Sequence, residues 1–222
     1  MSLASMQGGA LDAPAPIGFA EKIWRINWGL VLVLTAIAGV GTTSGVRVVI
    51  GRWDESPYGD FADAMVETAA GHRVLVAPTV EVADFVSATY SFDDVRVEPV
   101  TVEGWRFTSP SLTVELGLGG RTALGRMLRL VPRRVAVSPA WCLLTDSVAR
   151  VVLRGVRTRG SAGGGRWESY GATDNHALVA ARGSFDGTDL GTLAPVDPAP
   201  RFGFSSTPRR PSVTTVVTTV RG

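Results

Sequence analysis

Twenty consecutive residues, Asn27 to Val46, carry no charge, and this run constrains the chain more than any other feature. A membrane-spanning helix needs about 20 mainly apolar residues. The densest part, Gly29 to Gly41, falls short of that, and Thr42, Thr43, Ser44 and Gly45 extend it with small and polar residues. Trp24 and Trp28 stand where interfacial aromatics belong, and Lys22 with Arg25 favours an N-in orientation. Three helical readings stay open: a membrane anchor through 27–46, the apolar core of a secretory signal with Ala36-Ile37-Ala38 as its cleavage site, or a core helix of ordinary length. Met1 to Phe19 is rich in Ala, Gly, Pro and Ser and reads as disordered. The expected division is residues 1–45 as a disordered N-terminus plus an apolar helix, and 46–222 as one β-rich globular domain.

The side-chain inventory excludes several chemistries. Lys22 is the one lysine, and every other basic residue is arginine. After residue 22 there is thus no lysine for a Schiff base, a phosphate loop or a kinase-type site. His72 and His176 are the two histidines and Cys142 the one cysteine, which rules out a multi-histidine metal centre and an intramolecular disulfide. No cofactor is expected. A single cysteine suits a reducing compartment. The chain is therefore expected to be membrane-anchored with its body in such a compartment, or cytoplasmic if the N-terminal helix is not a span. Residues 47–118 hold five basic and twelve acidic groups and residues 119–222 fifteen and six. Halves of opposite sign attract one another or create a surface dipole, so no nucleic acid partner is expected.

Hydrophobic periodicity in the body predicts many short elements. Phe61 to Glu67 and His72 to Ala77 flank Thr68-Ala69-Ala70-Gly71, a hairpin pattern. Val82, Phe85, Val86 and Tyr90 make the stripe of a core-facing helix opening at Pro78-Thr79. Extended runs follow at 95–102, 105–108 and 111–116. A helix is predicted over 122–131, ended by Pro132, and another after Ser138 as N-cap with Pro139 in its first turn. Strands return at 166–170, 177–181, 201–205 and 213–220. The fold class is α+β: a largely antiparallel bent sheet or partly closed barrel with two or three helices, preceded by one apolar N-terminal helix.

Five places invite a functional reading. Asp174-Asn175-His176 joins a carboxylate to an imidazole after Tyr170, an arrangement that suits acid–base catalysis by His176 with Asp174 or Glu168 orienting it; an Asx-type turn between two strands is the preferred reading. The glycine loop 160–165 is flanked by Arg154, Arg157, Arg159 and Arg166, with Arg209 and Arg210 approaching from the Pro-rich stretch before the last strand. Guanidiniums grip carboxylate or phosphate with paired hydrogen bonds, although a solvated hairpin loop has the same composition. Gly117-x-Gly119 lies in strand–helix context, but Thr122 stands where a dinucleotide fingerprint needs Gly or Ala, and a plain β-to-α turn is preferred. Thr122 to Arg134 is basic and amphipathic, the pattern of a core-facing helix with a solvated arginine face or of a helix lying on an anionic membrane. Cys142 reads as an inert packed thiol.

Residues 18–41 resemble the first span of rod-shape-determining polymerases of the RodA type around Arg25-Ile26-Asn27-Trp28, and the resemblance carries no glycosyltransferase activity because it stops there. Residues 46–220 resemble a set of actinobacterial proteins through Ser56-Pro57-Tyr58-Gly59-Asp60-Phe61-Ala62-Asp63, Arg157-Thr158-Arg159-Gly160, Tyr170-Gly171-Ala172 and Phe202-Gly203-Phe204. That resemblance implies a genuine single domain and supplies neither substrate nor catalytic residue. The functional expectation is a non-catalytic domain binding a small anionic or amphipathic molecule. Two alternatives stand beside it: a metal-independent enzyme using His176 and Asp174, and a membrane-tethered interaction module.

Overall fold

In the computed structural model of the chain, residues 31–56, 58–152, 156–161, 167–203 and 207–221 are described. Strand β1 (Val31–Thr42) is the described part of the uncharged run. It pairs antiparallel with β2 (Arg47–Glu55) on one side and with β13 (Ser212–Arg221) on the other. The helical expectation does not hold for these twelve residues; residues 1–30, with the expected tail and Trp24 and Trp28, lie outside the described ones. The reason is two-sided burial. Ala38 and Val40 point into the main core, whereas Ile37 and Gly39 point to the opposite face, into a cavity. A strand covered on both faces reads as a continuous apolar run, which periodicity cannot tell from a helix. Among the described residues, no helix is long and apolar enough to cross a membrane.

The remaining strands are β3 (Phe61–Glu67), β4 (Arg73–Ala77), β5 (Asp94–Val97), β6 (Thr101–Glu103), β7 (Arg106–Thr108), β8 (Leu112–Arg121), β9 (Arg159–Ser161), β10 (Trp167–Phe185), β11 (Thr188–Asp189) and β12 (Leu193–Ala194). The main path of the sheet runs β5-β4-β3-β2-β1-β13-β10-β8-β7-β6. It is antiparallel throughout except for β4 and β5, and it curls into an open half-barrel. Its concave face is filled by Val48, Ile50, Ala64, Val66, Leu112 and Val114, among others. The β5 end of the sheet is pinned to the loops flanking β10 and β8: Arg96 donates to Asp186 at 2.6 Å, and the Ser111 hydroxyl donates to Glu98 at 2.8 Å. Arg182–Glu115 and Arg201–Glu67 pair basic groups of the second half with acidic groups of the first, so part of the charge asymmetry is neutralised within the fold.

Four helices complete the description: α1 (Val80–Ser87), α2 (Ala123–Leu128), α3 (Arg133–Ala136) and α4 (Pro139–Val152). Helix α1 follows the predicted stripe, with Thr79 as N-cap and Val82 and Val86 buried. The single predicted helix over 122–131 is shorter, and the short α3 follows it after Pro132.

The expected turn at Asp174-Asn175-His176 is a β-bulge inside β10, one strand of 19 residues. Register against β13 shifts between Ala172 and Asp174, and such an extra residue bends a strand and re-aims its side chains. Asn175 then bonds in two directions, donating from Nδ2 to Thr214 at 2.9 Å and accepting from the Thr122 hydroxyl at 2.7 Å. Thr122 is also the N-cap of α2, accepting from the Gly125 N–H at 3.0 Å. A Cβ at Gly125 would strike the Asn175 carbonyl oxygen, so glycine lets α2 sit directly on the bulge. Gly117 and Gly119 lie within β8 rather than in a turn. Arg201-Phe202-Gly203, the described part of the predicted strand at 201–205, is irregular backbone; the Arg201 N–H donates to buried Glu67 at 2.7 Å and ties this segment to β3.

Candidate functional site

The convex face of the sheet does not pack flush against the helices above it. Between them lies a cavity of about 510 Å³, within the about 300–1,000 Å³ of small-molecule sites. Ile37, Val49, Met65 and Val216 form its floor, one residue from each of four adjacent strands, and Leu124 and Leu128 of α2 with Trp141 of α4 form its roof. The alternation of β1, β2 and β3 explains this: their other faces are spent on the main core, leaving these side chains to line the second face. Met127 and Leu144 border the cavity while remaining largely exposed, which places the mouth between α2 and α4. At about 24 cal/mol per Å³, an apolar void of this size held closed and dry would cost on the order of 10 kcal/mol, comparable with the whole stability of a domain.

Few polar groups meet the cavity, and most are already engaged. The Thr158 hydroxyl donates to the Cys142 carbonyl at 2.7 Å and that of Thr145 to the Trp141 carbonyl at 2.9 Å. Tyr90, from the turn after α1, and Tyr170, from β10, bring their hydroxyls within 2.8 Å of each other. Tyr170 donates to Glu168 at 2.6 Å, so the proton between the two phenols belongs to Tyr90. Burial pushes both phenols well above their ordinary range, and they stay protonated. Two hydroxyls differ from these. Thr207 Oγ1 and Ser212 Oγ are buried at the cavity wall and have no hydrogen-bond partner among the described residues. They meet at Gly39, which is in register with Ser212 and whose missing Cβ leaves room for the Thr207 side chain. A buried hydroxyl without a partner costs about 1–3 kcal/mol.

Comparisons of the chain with protein-family models, curated proteins and solved structures gave no match.

The predicted site residues fall in different places. Arg157 lines the cavity, with Nε 3.2 Å from Asp146. Arg159 lies over the Trp167 ring, 4.6 Å from its centroid. Arg209 pairs with Asp197 at 2.9 Å, Arg210 is exposed, and neither borders the cavity. Arg154 and Arg166 lie outside the described residues. Asp174 and His176 approach to 3.7 Å but are not among the lining residues. Arg121 grips both oxygens of Asp174, at 2.8 and 2.9 Å, and holds the carboxyl below its usual range. His176 Nδ1 lies 3.3 Å from the Gly119 carbonyl oxygen. Cys142 is buried, and burial raises its thiol pKa, which suits a packed side chain better than a nucleophile.

Sequence reading did not find the cavity or the unpartnered hydroxyls. The cavity walls come from five strands, two helices and the loops between them, scattered along the chain, and no local pattern records that. One signal was available: Glu168 and Tyr170 are two apart in a strand, so both side chains share a face.

Proposed function

We propose that this protein binds a small amphipathic molecule, with the apolar body in the cavity between sheet and helices and a polar end at Thr207 and Ser212. The cavity carries the reading: it is large, walled by aliphatic and aromatic side chains, and reached through a mouth between α2 and α4. The two hydroxyls support the polar end, because a small shift of the wall that uncovers them lets a ligand oxygen give each the partner it lacks. Arg157 at the wall offers a second contact for an anionic group. Acid–base catalysis by Asp174 and His176 is the weaker reading, because both carboxylate oxygens of Asp174 are occupied by Arg121 and the pair stands apart from the cavity.

A fluorescent polyene carboxylic acid is a suitable probe, and comparison with the corresponding polyene hydrocarbon separates the contribution of its chain from that of its head. Ala172 lines the cavity from β10, and Ala172→Trp fills the space from a strand position that tolerates an aromatic residue. Titration should show at least tenfold weaker binding with an unchanged melting temperature; equal affinity in both proteins would count against the cavity as the site. Thr207→Val tests the polar end. It should raise the stability of the ligand-free protein by roughly 1 kcal/mol, by removing an unsatisfied hydroxyl, and weaken the acid while sparing the corresponding hydrocarbon. Equal weakening of acid and hydrocarbon would place the head group elsewhere.

A further inference from the structure

We propose that the helical cover of the cavity, α2 to α4, is a docking face for an anionic membrane surface. The first observation is exposed apolar surface. Met127, Leu130, Val135, Leu143 and Leu144 are between 43% and 84% exposed, although aliphatic side chains on packed helices are usually turned inward.

The second observation is charge. Residues 116–145 contain Arg121, Arg126, Arg129, Arg133 and Arg134 and not one acidic residue. Elsewhere, several surface arginines have carboxylate partners: Arg52 with Asp54, Arg73 with Asp93, Arg106 and Arg182 with Glu115, Arg209 with Asp197. Beside the cover, Arg121 at the end of β8 holds Asp174, and Arg129 at the end of α2 reaches only to 4.0 Å from it. Arg126 donates to a backbone carbonyl, and Arg133 and Arg134 are exposed with no ion pair among the described residues. Cations such as Arg126, Arg133 and Arg134, with no carboxylate partner among the described residues, set among exposed aliphatic side chains, complement a surface that offers phosphates in its outer layer and hydrocarbon beneath.

A bilayer is favoured over an acidic protein partner by continuity with the cavity. Met127 and Leu144 belong both to the exposed set and to the cavity lining, so the mouth opens at the docking face. A molecule soluble mainly in lipid could then pass between membrane and cavity without crossing water. The docking itself does not depend on the cavity reading.

Flotation of the full chain with vesicles tests the proposal. The protein should float with vesicles rich in phosphatidylglycerol, remain behind with pure phosphatidylcholine, and be released by salt. Arg133→Glu with Arg134→Glu should weaken binding at least tenfold, since each basic residue near such a surface contributes about 1 kcal/mol. Leu130→Asp with Leu143→Asp should abolish it, and the positions are exposed enough for both pairs to fold. Ala172→Trp should float like the wild type, because it closes the cavity and leaves the face intact; this arm separates the two proposals. Equal binding to neutral vesicles, binding to neither, retention by both double variants, or a concentration-dependent dimer lost on Leu143→Asp would each overturn membrane docking.

Discussion

A chain that begins at Val46 is expected not to fold. It lacks β1, which lies inside the sheet and pairs along Val31–Gly39 with β13 and along Leu34–Gly41 with β2. Deletion opens two unpaired edges in the middle of the half-barrel, a state prone to aggregation. It also removes Ala38 and Val40, both fully buried, from the main core and Ile37 from the cavity floor. Domain stability is about 5–15 kcal/mol in total, and a large buried side chain alone contributes about 1.5–3 kcal/mol, before the lost ladder is counted. Circular dichroism with urea titration should show no cooperative transition. A truncated protein that unfolds cooperatively near the midpoint of the full chain would contradict the placement of β1.

The second large effect is expected from Asp63. Its carboxyl lies on β3, buried, and accepts from Trp53 Nε1 at 2.7 Å. Gly51 makes the space: a Cβ there would come within 2.6 Å of Asp63 Oδ1. Burial raises the pKa from 3.8 to about 7, only partly offset by the tryptophan N–H. Because the folded-state value is the higher one, the native state holds a proton that the unfolded state has released at any pH between the two. Stability therefore falls as pH rises across this window, and the loss is complete above it. From pH 5 to 8 the change is about 3 kcal/mol, at 1.36 kcal/mol per unit. Asp63→Asn keeps an acceptor for Trp53 and cannot ionise, so its stability should lack this fall and should exceed the wild type at pH 8. Parallel urea-denaturation profiles for the two proteins across pH 5–8 would show that Asp63 is ionised at no cost in the fold.

Much of the body was legible because its elements bury one face each. The hairpin of β3 and β4, the stripe and Thr79 cap of α1, and the Ser138-Pro139 start of α4 all follow from local spacing and cap chemistry. The failures share a different cause, which is that the deciding contact is remote in sequence. Strand β1 is apolar on both sides because one side meets the core and the other the cavity. Asp174-Asn175 has turn composition, yet Thr214 and Thr122 satisfy Asn175 and hold it within a bulged strand. The tight link between β10 and β11 did have a local signal: Asp186-Gly187, both at positive φ, closes a two-residue hairpin loop. The arginines were legible as a composition but not as a site. Side chains 157, 159 and 209 turn to Asp146, Trp167 and Asp197 respectively, and only Arg157 meets the cavity.

The central claim, that the cavity holds a small amphipathic molecule, is tested most directly by native mass measurement of the protein purified gently from its own host. Wild type should carry a small organic molecule that dissociates on unfolding and is recovered by solvent extraction, and Ala172→Trp prepared in parallel should carry none. Wild type arriving at the bare chain mass and also failing to take up the polyene acid, or both proteins carrying the same molecule, would contradict it.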